Sequence, residues 1–102
     1  MIHVVAVITA KPGQREKVMA AFRANVPSVL AEEGCIEYGA AVDVSPELPF
    51  QSSFGHDSFL VIEKWQSRDA LKAHAVAPHM QAYGARVREY IASRVIHVLE
   101  PA

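Results

Sequence analysis

The sequence has few of the groups that usually mark a cofactor or metal site. Its single cysteine, Cys35, cannot form a disulfide within the chain, and no Cys-x-x-Cys pair is present. No Gly-rich phosphate loop and no G-x-G-x-x-G, G-x-S-x-G or H-E-x-x-H motif occurs. We therefore expect no cofactor and no metal. A lone thiol also makes the reducing cytoplasm the default location.

Charge of one sign and long apolar runs are also missing. Ten basic and eleven acidic residues give a net charge of −1, and the Lys and Arg residues are scattered rather than gathered into a stripe. This distribution argues against nucleic acid and anionic lipid as partners. The opening stretch MIHVVAVITAK is too short an apolar run for a membrane span and lacks a signal-peptide pattern, so it predicts a first strand.

What is present suits one domain over residues 1–102, because 51% of the 102 residues are hydrophobic. Periodicity and turn residues predict strands and helices in the order β-α-β-β-α-β, with the second helix in two pieces. The predicted elements are a strand at 2–9, a helix from Gln14, strands at 35–44 and 58–65, helices at 67–76 and from Pro78, and a strand at 94–99. This order is typical of a ferredoxin-like α+β fold, an antiparallel four-stranded sheet with helices on one face.

Two residues mark interruptions in this pattern, and a dozen residues form a loop. Pro27 predicts a kink or break of the first helix near residues 25–27, because proline lacks a backbone donor. Gly34 is expected to end that helix in a left-handed conformation. The stretch 45–57, SPELPFQSSFGHD, is rich in Pro, Ser and Gly and predicts a long loop.

The predicted strands are apolar on both faces and do not alternate. In the first strand Val4, Ala6 and Ile8 would share one face, while Val5 and Val7 share the other. A sheet with helices on one side only would then expose a larger apolar patch than monomers usually carry. We expect a second copy of the chain to cover this patch, giving a homodimer.

The third strand holds the first candidate site residues. Phe59, Glu63 and Trp65 occur at even spacing, so their side chains should point to one face of the sheet. One interpretation is a pocket with aromatic walls and a single carboxylate. The alternative is a core tryptophan beside a glutamate that bonds to backbone.

Two histidines lie on either side of an Ala-Pro dipeptide. His74 follows Leu71 by about one helical turn, so it should face inward, where imidazole suits a general base, although a core histidine is the alternative. His79 begins the next helix and could contact a pocket rim or only cap the helix. Their separation fits neither the i,i+3 nor the i,i+4 spacing of helical metal ligands. Tyr38 and Tyr83 are candidate pocket hydroxyls, with core packing as the alternative.

Three stretches, GCIEY at 34–38, EKWQSRDALKAH at 63–74 and PHM at 78–80, resemble the antibiotic biosynthesis monooxygenase domain family. The resemblance runs from the first strand through the last helix and implies a small dimeric α/β barrel of ferredoxin-like subunits. The family includes quinol and anthrone-type monooxygenases, haem-degrading enzymes and an autoinducer-processing branch.

The resemblance argues against the haem-degrading branch. That branch's ligand histidine would fall near Gly84, its asparagine near Ala6 and its haem-contacting tryptophan at His74, and none of the three residue types stands there.

The resulting hypothesis is a cofactor-independent monooxygenase that oxidises a small quinol-like or anthrone-like aromatic with O₂. A deprotonated dihydroxyaromatic can itself pass an electron to O₂, so the protein needs only a dry, aromatic-lined cavity and a base. The expected site consists of His74 as base, Trp65 and Phe59 as walls, and Tyr38, Glu63 and His79 as orienting groups, with Tyr83 as a further substrate contact. The alternatives are a non-catalytic dimer that binds a small ligand, and an isomerase-type proton transfer on a small metabolite.

Overall fold

A computed structural model describes all residues from 1 to 102. Its elements, in chain order, are β1 (Ile2–Ala10), α1 (Arg15–Leu30), β2 (Cys35–Ala41), β3 (Ser58–Trp65), α2 (Arg68–Ala75), α3 (Pro78–Val87), a 3₁₀ turn (Arg88–Tyr90) and β4 (Ile91–Leu99). The four strands form one antiparallel sheet in the order β2-β3-β1-β4. This topology confirms the ferredoxin-like α+β prediction.

Two strand boundaries differ from the prediction by three residues. β2 ends at Ala41 rather than at residue 44, because the chain then turns into the loop, where the Asp43 carboxylate accepts hydrogen bonds from the backbone N–H groups of Phe54 and Gly55. β4 begins at Ile91, three residues earlier than predicted, where it pairs with Ala10 across an irregularity in β1.

The first helix does not break at Pro27. α1 runs without interruption from Arg15 to Leu30, and Pro27 lies in its last turn, where little of the helix remains to be disturbed. Gly34 does adopt the left-handed conformation, with φ of 83°, but it lies in the turn before β2 rather than at the end of α1. A Cβ atom at Gly34 would lie 2.6 Å from Cβ of Ala70, so this glycine allows α2 to approach the turn.

The core lies between the helices and one face of the sheet. Alternate residues of β1 and β3 are buried on this face, and α1 packs against them through Val18, Met19, Phe22 and Val29. The opposite face contains Val5, Val7, Leu60, Ile62 and Val95, which the strand register places side by side. None of these five is buried, and Val95 is 50% exposed. No helix in the structure combines the length and the apolar composition needed to cross a bilayer.

Candidate active site

A cavity of about 380 Å³ lies between the helix-covered face of the sheet and α1, α2 and α3. Its size is within the range usual for small-molecule sites. β1 contributes Val4, Ala6 and Ile8 to the wall, and β4 contributes Ile96 and Val98. The wall is mainly apolar, with a few polar side chains that come from β2, β3, β4 and the helices, namely Tyr38, Glu63, Lys72, His74, Tyr83 and Arg94.

His74 reaches the cavity from α2. Ser67 caps the start of the helix, and its hydroxyl accepts a hydrogen bond from the backbone N–H of Ala70. His74 is buried, as the spacing from Leu71 predicted. Its Nδ1 atom lies 2.7 Å from Oε2 of Glu32, in the turn between α1 and β2. Because a carboxylate can only accept, Nδ1 donates in this contact, and in the neutral imidazole the lone pair is then on Nε2.

Glu63 stands on the other side of the imidazole. Its Oε1 atom lies 4.0 Å from Nε2 of His74, too far for a hydrogen bond, and accepts a hydrogen bond of 2.8 Å from Nε1 of Trp65. Burial raises the pKa of the Glu63 carboxyl, and the charge of Glu32 adds to this, while the Trp65 hydrogen bond and His74 act in the opposite direction. The side chains of Glu63 and Trp65 lie on the same face of β3, as their spacing predicted.

Tyr38 supplies a hydroxyl without a partner in the chain. Its ring stacks on Phe22 at 5.2 Å between centroids and meets the His74 ring edge-on at 5.5 Å. Burial and the negative charge of Glu63 raise the pKa of Tyr38 well above its ordinary range, so the phenol stays protonated and can donate. Tyr83 of α3 also lines the cavity, and burial raises its pKa as well.

Three of the expected substrate contacts do not line this cavity. Phe59 and Trp65 are fully buried in the core, and Trp65 lies behind Glu63 and His74, with its ring 4.6 Å from the imidazole. His79 is half-buried at the start of α3 and turns toward Glu32 rather than the cavity. Even spacing on a strand gives the shared face, but it does not say which residues of that face lie beneath a helix and which border a space.

Four residues of the site went unnoticed in the sequence. Glu32 contacts His74, and Asn25 contacts His79. Lys72 and Arg94 line the cavity. Nothing in the acidic pair after α1 distinguishes Glu32 from its exposed neighbour Glu33. No group of three or more His, Cys, Asp or Glu side chains is arranged to hold a metal ion.

Comparison with known proteins places the chain in a family. The model of the antibiotic biosynthesis monooxygenase family matches residues 1–86. The chain belongs to this family. Among known relatives, the probable quinol monooxygenase YgiN of Escherichia coli strain K12 is 41% identical over 103 aligned positions, which cover 99% of this chain and 98% of YgiN.

Solved structures share the fold of this chain. PA3566 from Pseudomonas aeruginosa superposes with a TM-score of 0.82 at 26% identity, covering 99% of this chain and 93% of that one. Rv0793 from Mycobacterium tuberculosis superposes with a TM-score of 0.79 at 25% identity, covering 99% and 94%. Membership in the antibiotic biosynthesis monooxygenase family supports monooxygenase activity in general terms.

Proposed function

We propose that the chain is a monooxygenase that oxidises a quinol-like or anthrone-like aromatic with O₂, and that His74 is its general base. The observation that carries the proposal is the pairing of His74 with Glu32 at the edge of an apolar cavity. The family assignment and the likeness to a probable quinol monooxygenase support the same reaction class.

The chemistry needs no group beyond these side chains and the two substrates. Nε2 of His74 takes the proton of a phenol or of its keto tautomer, while the Glu32 carboxylate balances the charge on the imidazolium. The electron-rich anion then reduces O₂ and combines with it. For an anthrone-type methylene, one oxygen atom becomes the new carbonyl and the other leaves as water, so the substrate itself supplies the electrons.

The remaining site residues take supporting roles in this proposal. Tyr38 donates a hydrogen bond to a substrate oxygen, because its hydroxyl is protonated and has no partner in the chain. Glu63 also lines the cavity, and its raised pKa means that it holds a proton more readily than an ordinary carboxyl. Trp65 orients Glu63 from behind. Tyr83 contacts the ring from α3.

A second candidate function is proton transfer on an anionic metabolite, as in an isomerase. Lys72 and Arg94 line the cavity, and neither forms an ion pair with a carboxylate of the chain. Two unpaired cations would suit a phosphate or carboxylate substituent. The same His74–Glu32 pair would then act as base without consuming O₂.

Oxygen uptake with naphthohydroquinone and with an anthrone tests the first function. We expect uptake by the wild type and a decrease of about 10²- to 10⁴-fold in kcat for His74→Ala, the usual contribution of a general base. His56→Ala, at an exposed loop position, is the matched control. Unchanged turnover in His74→Ala removes this residue from the mechanism.

Absence of oxygen uptake by the wild type would direct attention to the second function. It would then be measured as exchange of substrate protons with D₂O, using a phosphorylated hydroxyketone. Binding of aromatic ligands without either reaction would indicate a non-catalytic ligand-binding protein.

We also propose that residues 1–102 act as one domain and that two copies pair through the uncovered sheet face. Five apolar side chains on that face, none of them buried, support the pairing. The lone thiol of Cys35 fits a cytoplasmic protein.

A further inference from the structure

Glu32 contacts both histidines of the α2–α3 junction through the same oxygen atom. Oε2 lies 2.7 Å from Nδ1 of His74 and 3.2 Å from Nε2 of His79. The three residues come from the turn after α1, from α2 and from the first turn of α3. This arrangement therefore exists only when all three segments are packed together.

Asn25 indicates which ring nitrogen of His79 accepts a hydrogen bond. Its amide Nδ2 lies 3.2 Å from Nδ1 of His79 and 3.4 Å from Sδ of Met80. The same amide nitrogen contacts both atoms. Because an amide nitrogen can only donate, Nδ1 of His79 must accept. A neutral His79 consequently carries its proton on Nε2, the nitrogen next to Glu32.

The direction of every contact is then fixed along the row. Asn25 donates to His79, the Nε2–H group of His79 approaches Glu32, and Glu32 accepts from Nδ1 of His74. The His79 contact is close in distance but poorly aligned, since Nε2 is buried without a well-formed hydrogen bond. Oε2 of Glu32, 3.2 Å away, is an acceptor within its reach.

Exposure increases along the same row. The side chain of His74 is 6% exposed, that of Glu32 is 17% exposed and that of His79 is 27% exposed. His79 is therefore the most exposed residue of the three, and it does not line the cavity. A residue in this position can act on the reaction through Glu32.

We propose that His79 and Asn25 are positioning residues that hold the Glu32 carboxylate in place, and thereby keep His74 in the tautomer with a free Nε2. The inference rests on the proposed role of His74 as base. It assigns a specific task to the second histidine and explains why an asparagine, a donor that does not titrate, faces it. Removing the His79 donor leaves Glu32 free to turn toward water, and His74 then populates both neutral tautomers.

Two measurements test this proposal independently. Proton–nitrogen correlation spectra of protein with ¹⁵N-labelled histidine report which ring nitrogen carries the proton. In the wild type we expect the Nδ1–H form of His74 and the Nε2–H form of His79. In His79→Phe and in Asn25→Leu we expect mixed tautomers at His74. A His74 signal that stays purely Nδ1–H in His79→Phe overturns the proposal, whatever the activity.

Kinetics with an accepted substrate supply the second readout. For His79→Phe we expect kcat to decrease about 10- to 100-fold, as for other residues that orient a reacting group from behind, with KM changed less than about threefold. His79→Gln retains an amide donor near Glu32 and should recover most of kcat. His56→Phe is the exposed control. A change in KM without a change in kcat contradicts the positioning role. An equal loss of kcat in His79→Phe and His79→Gln also contradicts it.

The two proposals fail in different ways. If no quinol is oxidised, the proposed reaction is wrong, but the tautomer spectra still decide the role of His79. Thermal unfolding of each variant identifies a loss of folding, and in that case Asn25→Leu, which leaves both histidines in place, decides the tautomer measurement.

Discussion

The two carboxylates beside His74 differ in what they can do. Glu32 forms a hydrogen bond with the imidazole and is partly exposed to water, whereas Glu63 is buried, lies 4.0 Å away and accepts from Trp65 instead. Two ionisable groups whose surroundings differ in this way are typical of sites that divide acid and base roles. Glu32 therefore suits the charge-balancing role and Glu63 the role of a group that holds a proton.

The raised pKa of Glu63 predicts a change of stability with pH. Between the ordinary value of 4.5 and the higher folded-state value, the folded protein binds more protons than the unfolded chain, so the free energy of unfolding decreases as pH rises. Glu63→Gln cannot ionise and should lose this decrease, by about 1.4 kcal/mol for each unit of pKa elevation.

Urea unfolding of the wild type and Glu63→Gln from about pH 4 to about pH 8 measures the effect. Glu33→Gln, on an exposed glutamate of the α1–β2 turn, is the control and should follow the wild type. Parallel curves for the wild type and Glu63→Gln would show that Glu63 ionises in the fold as easily as in the unfolded chain.

At the scale of single residues, the sequence predicted the direction in which a side chain points better than the residues that it contacts. The spacing of Glu63 and Trp65 placed them on one face, and that of His74 placed it inward, because both follow from the geometry of one strand or helix. The Glu32–His74 contact joins residues that are 42 positions apart. It depends on how α2 packs on the α1–β2 turn, which no local pattern contains.

At the scale of elements, the approach of α2 to the α1–β2 turn decides whether the site forms. Gly34 is the residue that permits this approach, since it combines a positive φ with a space too small for a Cβ atom beside Ala70. The backbone N–H of Gln66, just before α2, donates to the carbonyl of Gly34 and joins the two segments. Glu32 and His74 lie on opposite sides of this junction.

Gly34→Ala should therefore destabilise the protein and disturb the site together. We expect a loss of about 2 kcal/mol in the free energy of unfolding, from the strained backbone and the contact with Ala70. Gly84→Ala is the matched control, because Gly84 lies within α3 with nothing within 4 Å of its Cβ position, and it should gain about 0.5 to 1 kcal/mol.

Chemical denaturation gives both values, and the His74 tautomer spectrum reports on the site. Equal stability of Gly34→Ala and the wild type would mean that α2 can retreat from the turn without cost.

The errors in the predicted elements have two physical causes. Pro27 does not interrupt α1, because it lies in the last turn, where little of the helix follows the missing backbone N–H. The early start of β4 and the early end of β2 depend on partners, β1 in one case and the Asp43 loop contacts in the other. Strand ends are set by what the neighbouring chain offers, which local propensity does not describe.

At the scale of the molecule, the sheet has one face covered by helices and one left bare. The order of the strands and the ferredoxin-like topology followed from the order of elements, and the apolar residues on both faces of the strands were visible in the sequence. Which copy or partner covers the second face is not a property of a single chain. The apolar residues of the bare face nevertheless have a defined arrangement, because the register places Val7 beside both Leu60 and Val95 in one apolar row.

A charge placed in this row should prevent pairing of two copies. Val7→Glu would bury a carboxylate without a partner between two sheets, which should weaken association by at least about 100-fold, since an unpaired buried charge costs several kcal/mol. Val76→Glu is the control, because Val76 is 67% exposed next to α2, on the helix side of the molecule.

Sedimentation of the wild type at micromolar concentration should give the mass of two chains, and Val7→Glu that of one. A monomeric wild type, or a Val7→Glu variant that still pairs, would mean that the apolar face meets water or another surface. The cavity lies on the opposite side of the sheet, so the His74 tautomer should be the same in Val7→Glu and the wild type if the sheet itself stays folded.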